Sequence, residues 1–220
     1  VNKKLIAAEY DRLEYFKKVT GKIQSSLQRK KEIVDFLDFA TNHLKDRTEQ
    51  INFMEIGLAY GANFVLIGNV LSWQSENVFG IGMDMPTPKQ WEGTGQSVVS
   101  AIPRHKPTFK HEIIIGDSHK IESQDAVETA LKCRQLDLLF IDGDHTEAGC
   151  RKDWCMYRSF VRPGGIIVFH DIKNKHGPKF RVWRVWEGVK RQFETREISH
   201  RRPDGKVGCG IGVLIWQPQI

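Results

Sequence analysis

The chain has 220 residues, 40% hydrophobic and 27% charged, the proportions of one soluble globular domain with at most a small appendage. No apolar run approaches the roughly 18 residues of a membrane span. The four cysteines, Cys133, Cys150, Cys155 and Cys209, show no CxxC spacing, which argues against a zinc or disulfide framework and for reduced thiols in a cytoplasmic protein. The net charge of +6 is uneven: residues 1–50 hold eleven basic against eight acidic side chains, 51–171 eleven against fifteen, and 172–220 eleven against four. An acidic centre suits a cation or cationic cofactor, and a basic tail an anionic substrate or nucleic acid.

In chain order, residues 3–19 and 23–45 carry apolar side chains near a period of 3.6 (Leu5, Ile6, Tyr10, Leu13, Phe16; then Ile33, Phe36, Leu37, Ala40, Leu44) and predict two helices separated by Gly21. They read as a helical cap over residues 1–48, packed on a main domain of residues 49–220; a substrate lid is the sharper alternative. The first strand, Ile51 to Ile56, runs into Gly57-Leu58-Ala59-Tyr60-Gly61, and a helix follows over 62–73. A glycine turn between buried strand and helix lets a ligand approach the backbone. Its spacing is G-x-x-x-G, without the third glycine of a dinucleotide fingerprint and without the Gly-Lys-Ser/Thr of a phosphate loop. That disfavours a nicotinamide oxidoreductase and a nucleotide hydrolase.

The second strand, Val78 to Met83, ends in Asp84, placed as an acid that accepts ribose hydroxyls in nucleoside-binding sheets. Residues 89–103, with Gly93 and Gly95, read as a loop over the site. The third strand, Glu112 to Ile115, ends in Gly116-Asp117-Ser118; Asp117 or Ser118 either reads an adenine or caps the helix beginning near His119. Leu138 to Ile141 is a short strand buried on both faces, ending in Asp142-Gly143-Asp144-His145. A helix with Tyr157, Phe160 and Val161 inward follows, broken by Pro163-Gly164-Gly165, and Ile166 to Phe169 ends in His170-Asp171. Two neighbouring parallel strands would thus bring Asp142, Asp144, His145, His170 and Asp171 to the carboxyl edge of the sheet, where ligands bind in open α/β folds. Beyond them lie a helix over 180–193 with Val182, Val185, Trp186 and Val189 inward, a turn at residues 201–205, and closing strands at 197–200 and 207–216. Trp183 between Arg181 and Arg184 could be an aromatic-basic nucleic-acid surface, with a solvated basic face as the plainer reading.

Taken together, Met54-Glu55-Ile56-Gly57 with Gly61, Gly82-Met83-Asp84, Gly116-Asp117-Ser118, Phe140-Ile141-Asp142-Gly143-Asp144-His145 and Arg162-Pro163-Gly164-Gly165 with Phe169-His170-Asp171 resemble a class I S-adenosylmethionine-dependent methyltransferase over roughly residues 50–217. The last two motifs are similar to small-molecule O-methyltransferases of antibiotic and sugar tailoring, many of which use magnesium. The resemblance implies a Rossmann-like α/β fold: a mostly parallel seven-stranded sheet, helices on both faces, and one antiparallel strand in the last pair. It implies that Glu55, Gly57, Tyr60 and Gly61 line the methionine and ribose of the cofactor, that Asp84 holds the ribose hydroxyls, and that Gly116, Asp117 and Ser118 flank the adenine. Asp142, His170 and Asp171 fall at the metal positions, Asp142 also bordering the cofactor, and His145 at that of the general base. His170 stands where the family usually has an acid, which leaves two ways open: Asp144 substitutes as an oxygen ligand for magnesium, or the metal is one that accepts imidazole, such as manganese or iron. The expected partner is a small hydroxylated acceptor, with no membrane and an oligomer allowed. Two alternatives stand beside it: a metal-free methyltransferase of RNA or another anionic polymer, and a nucleoside-binding scaffold that has lost its chemistry.

Overall fold

The structure, a computed structural model, describes residues 1–20, 28–47, 49–86, 102–175, 177, 179–201, 205 and 207–218, with the backbone alone over 15–20. The expected loop over 89–101, the separator Gly21, the first residues of the second helix and the turn residues 202–204 lie outside the described residues.

The elements are α1 (Lys3–Thr20), α2 (Lys30–His43), β1 (Ile51–Ile56), α3 (Ala62–Leu71), β2 (Val78–Asp84), β3 (Lys110–Ile115), α4 (Ile121–Leu131), β4 (Leu136–Ile141), α5 (Glu147–Tyr157), β5 (Val161–His170), α6 (Val182–Val189), β6 (Thr195–Ile198) and β7 (Ile211–Ile215), with 3₁₀ turns at Ile102–His105 and Arg158–Phe160. They form one seven-stranded sheet in the order β3-β2-β1-β4-β5-β7-β6. The first five neighbours run parallel, and β7 is antiparallel to both β5 and β6.

Side chains alternate across a strand, and here both faces are covered. Phe53, Leu138, Phe140, Ile166, Val168 and Val213 join one core with α1, α2 and α3. Met54, Leu139, Ile141, Ile167, Phe169 and Leu214 join the other with α4, α5 and α6. That is why β1 and β4 read as unbroken apolar runs rather than as alternating ones. The N-terminal helices reach the centre of the sheet: Phe36 packs edge-on against Phe140, ring centroids 5.7 Å apart.

One local expectation is corrected. Pro163-Gly164-Gly165 does not end a helix; the helix stops at Tyr157, and Val161 is already in β5. Pairing slips from Leu136↔Val161 to Leu138↔Ile166, so the extra residues bulge out of the ladder. Gly164, at φ +75°, takes the left-handed turn this needs. At that far edge buried Asp137 accepts from Arg47 Nε (3.0 Å), Arg162 Nε (2.6 Å) and the Asn52 amide (2.9 Å), tying the lead-in to β1 to the bulge. Among the described residues no helix is long and apolar enough to cross a membrane.

Candidate active site

The carboxyl ends of β1, β2, β3 and β4 are held in register by amides just past β1, β3 and β4. Gly57 donates to Met83 O (2.9 Å), Asp142 to Ile56 O (2.9 Å) and Gly116 to Asp84 O (2.9 Å). The glycine loop therefore lies directly against the β4 tip. A Cβ at Gly57 would sit 2.2 Å from Asp142 O, and its φ of +90° disfavours any side chain besides. Gly61, at φ +75°, is the N-cap of α3.

Glu55, 1% exposed, is the penultimate residue of β1, just before this loop. Its Oε1 accepts from Asn63 Nδ2 (2.7 Å), while Oε2 and Asn63 Oδ1 are buried with no hydrogen-bond partner among the described residues. Burial, then the charges of Asp142 and Asp84, push the Glu55 carboxyl well up, against the pull of the Asn63 hydrogen bond. Two unpaired acceptor oxygens under a glycine loop fit a ligand that brings cationic N–H donors. Asp84 accepts from the amides of Ala59 (2.7 Å) and Met85 (2.7 Å). Burial still leaves its carboxyl raised overall. It thus braces the loop and borders it. Tyr60 belongs to the same loop, and its carbonyl lies 3.3 Å from His105 Nε2.

At the β4 and β5 tips the expected residues converge. Asp142 Oδ1 lies 3.0 Å from His170 Nδ1 and 3.3 Å from His145 Nε2. His145 Nδ1 lies 3.4 Å from Asp171 Oδ2, and His170 Nδ1 3.6 Å from Asp171 Oδ1. Burial would raise the Asp142 carboxyl, but the His170 charge and the hydrogen bonds from both imidazoles outweigh it and hold it far below the usual range. Burial disfavours charge on His145, yet the Asp142 hydrogen bond and charge, with Asp171 and Asp144 behind, push it up to about 9. His170 is raised against its burial by Asp142 and then Asp171. Asp171 adopts φ +62°, a left-handed conformation Asp tolerates better than most residues, and this turns the chain out of β5. Asp144, exposed, takes a different role: its Oδ1 accepts the Thr146 amide (2.8 Å) at the start of α5.

At the third tip, Asp117 Oδ1 accepts the His119 amide (2.9 Å) and Ser118 Oγ donates to Asp153 Oδ1 (2.7 Å). Neither caps α4, whose N-cap is Lys120 with no side-chain cap. Asp153, fully buried on α5, lies 3.2 Å from His119 Nε2, and its Oδ2 has no hydrogen-bond partner among the described residues.

Sequence reasoning missed four residues here. Gln28, just ahead of α2, donates through Nε2 to Asp142 Oδ2 (2.5 Å), so the N-terminal region borders the β4 tip. Asn63, Asp153 and Cys209 were also passed over. Asn63 and Asp153 carried a weak signal as polar residues on inward helix faces. Gln28 and Cys209 carried none, because their neighbours are distant in the chain.

A family model described as "Methyltransferase domain" matches residues 54–172, more than half of the chain. Among solved structures, a Staphylococcus aureus protein assigned as a caffeoyl-CoA O-methyltransferase is 16% identical, covering 93% of this chain and 90% of that one, with a TM-score of 0.59. The S-adenosylhomocysteine-bound Podospora anserina methyltransferase PaMTH1 is 14% identical, covering 96% and 88%, with a TM-score of 0.56. The MycE methyltransferase of mycinamycin biosynthesis, in complex with magnesium and S-adenosylhomocysteine, is 15% identical with a TM-score of 0.52; 93% of this chain matches 54% of that one. At such identities the likeness establishes the fold.

Proposed function

The chain belongs to the methyltransferase-domain family, and from that premise we propose that it moves a methyl group from S-adenosylmethionine to a hydroxyl of a small acceptor, sugar-like or natural-product-like. The observation that carries this reading is the His145–Asp142–Asp171 cluster standing beside a glycine loop with unpaired acceptors beneath it. Glu55, Asn63, Gly57, Tyr60, Gly61 and Asp84 would hold the methionine and ribose portions, and Gly116, Asp117 and Ser118 the adenine. When bound, the cofactor supplies an electrophilic methyl group on a sulfonium.

A hydroxyl is a weak nucleophile until it loses its proton, and His145 is the base placed to take it. Asp171 would hold the ring through Nδ1 and stabilise the imidazolium that results, while Nε2, 3.3 Å from Asp142, takes the proton by exchanging that contact for the acceptor hydroxyl. The same pair holds the imidazole protonated at neutral pH, so positive charge arriving beside Asp142 favours the neutral ring that a base requires. Ser118, fixed by Asp153, and Asp84, fixed by two amides, position without chemistry of their own.

The expected metal set is brought together, but it does not fit magnesium. Asp142 Oδ1 is already shared by two imidazoles and the third position is His170, whereas magnesium takes near-octahedral oxygen ligands. No step is assigned to that ion. An RNA acceptor is the second reading, favoured by the basic tail. The Trp183 ring is flanked by Lys175 Nζ at 4.7 Å and Arg184 Cζ at 5.3 Å, the aromatic-basic pairing that this second reading would use.

The test begins with calorimetric titration by S-adenosylhomocysteine. Micromolar binding is expected, weakened about tenfold or more in Asp84→Asn, the loss of a charge-assisted hydrogen bond. With labelled S-adenosylmethionine and a panel of sugars and phenols, His145→Ala should lower turnover ~10²–10⁴-fold while keeping cofactor affinity. A folded protein that binds no S-adenosylhomocysteine sinks the reading and leaves a scaffold.

A further inference from the structure

The misfit of magnesium has a counterpart close by. One donor atom from each of His170, Asp171 and Cys209 lies within 4.8 Å of the other two. His170 is 7% and Asp171 4% exposed, and His170 Nε2 and Asp171 Oδ1 have no hydrogen-bond partner among the described residues. Buried polar atoms left without partners are costly and call for an explanation. Here they belong to two of the three residues that converge.

Cys209 is held in place by the fold. Strands β5 and β7 pair antiparallel up to His170↔Ile211. Past that pair the chains stay together: Ile172 donates to Gly210 O (3.3 Å) and Lys173 to Cys209 O (2.7 Å). The flanking glycines admit close neighbours. A Cβ at Gly210 would sit 2.7 Å from Lys173 Cγ, and one at Gly208 would sit 2.0 Å from Glu32 Oε1. Glu32, fully buried on α2, accepts the His200 amide (3.2 Å) and the Gly210 amide (3.3 Å), so the cysteine's neighbours are clamped from α2 and from β5 alike. A thiol carried on such a clamped segment is preorganised.

We propose that His170, Asp171 and Cys209 form a binding site for a divalent ion of the zinc class, distinct in donor chemistry from a magnesium site. One imidazole, one carboxylate and one thiol that gives up its proton to solvent on binding make a mixed N/O/S set, which suits borderline ions such as zinc or cobalt and is foreign to magnesium. Three protein donors are also the number found in open, catalytic zinc sites rather than in closed four-ligand structural ones. The inference deepens the methyl-transfer reading only in placing the ion beside His145; binding of the ion does not depend on that reading.

The test uses the full chain, stripped by chelator and titrated with Co²⁺, Zn²⁺ and Mg²⁺ in turn. One equivalent of Co²⁺ should bind with a sulfur-to-cobalt charge-transfer band, Zn²⁺ should displace it, and Mg²⁺ should not. Cys209→Ser should abolish the band and weaken Zn²⁺ binding about tenfold or more, since even losing an outer-shell partner costs that much. Cys133→Ser and Cys155→Ser, at exposed positions, should keep the band. Circular dichroism and S-adenosylhomocysteine affinity on the same samples show whether Cys209→Ser is folded; a Cys209→Ala variant with the same loss and an unchanged fold removes that doubt. No Co²⁺ or Zn²⁺ binding by the wild-type chain, a band lost with Cys133 or Cys155 instead, or a band surviving in Cys209→Ser would each overturn the proposal. Cofactor binding that persists through such a failure leaves the methyltransferase reading standing.

Discussion

Glu55 shows how a single buried group links fold to ligand. Its carboxyl is pushed well up by burial and then by the neighbouring acids Asp142 and Asp84, so without a ligand its ionised form is disfavoured. A cationic amino group placed against Oε2 would favour the ionised form. Binding of S-adenosylhomocysteine should then release a proton: the calorimetric heat should vary with the ionisation enthalpy of the buffer, and affinity should rise with pH. In Glu55→Gln the buffer dependence should vanish and affinity fall ~10–100-fold, the scale of one charge-assisted hydrogen bond. Equal buffer dependence in variant and wild type would assign the proton elsewhere.

At the scale of elements, the decisive device is α2. Phe36 and Leu37 bury against the sheet while Glu32, on the same helix, accepts two amides of the segment between β6 and β7. The segment has few apolar residues of its own, so its placement depends on that carboxylate. Glu32→Ala should destabilise by about 1–3 kcal/mol, the cost of leaving buried amides unpaired. The loss should concentrate locally, as faster amide hydrogen exchange at Gly208 and Gly210 with little change in the strands. Uniform acceleration across the sheet would instead give Glu32 a global role.

For the molecule as a whole, acid stability has an identifiable contributor. Glu197 on β6 accepts from Lys173, Lys190 and Trp186 Nε1, which joins β6 to α6 and to the chain leaving β5. Burial opposes its charge, but the hydrogen bonds from Lys173, Trp186 and Lys190 lower its carboxyl from 4.5 to about 2. A carboxyl lowered on folding stabilises above its unfolded value and loses that contribution as pH falls through the folded one. Unfolding midpoints should therefore decline between about pH 4.5 and 2, with a shallower decline in Glu197→Gln. Because Glu197 is partly exposed, the difference should shrink in high salt. An identical acid limb in both proteins would remove Glu197 from the account.

Much of this protein was legible in one dimension. Apolar runs bounded by Gly57, Asp84, Asp142 and Asp171 located the central strand tips because parallel strands buried on both faces must be short and apolar and must end in polar residues at one edge, and the edge strand before Gly116 was found by its isoleucines alone. The helical faces of α2 and α6 followed from periodicity for the same reason: burial imposes its period on the sequence. Strand ends were read short at β3, β4 and β5, since polar residues within a ladder are held by backbone bonds that leave no mark on hydropathy. The Pro163-Gly164-Gly165 bulge looked like a helix stop because those residue types break either element. What only the tertiary structure decided are the contacts between segments far apart in the chain. Gln28 meets Asp142 across 114 positions, Glu32 meets Gly210 across 178, and Cys209 joins His170 and Asp171 through the antiparallel return of β7. Composition and spacing register local rules of turn, period and burial; the donor set of a site depends on which strands lie side by side, and that is settled only when the sheet closes.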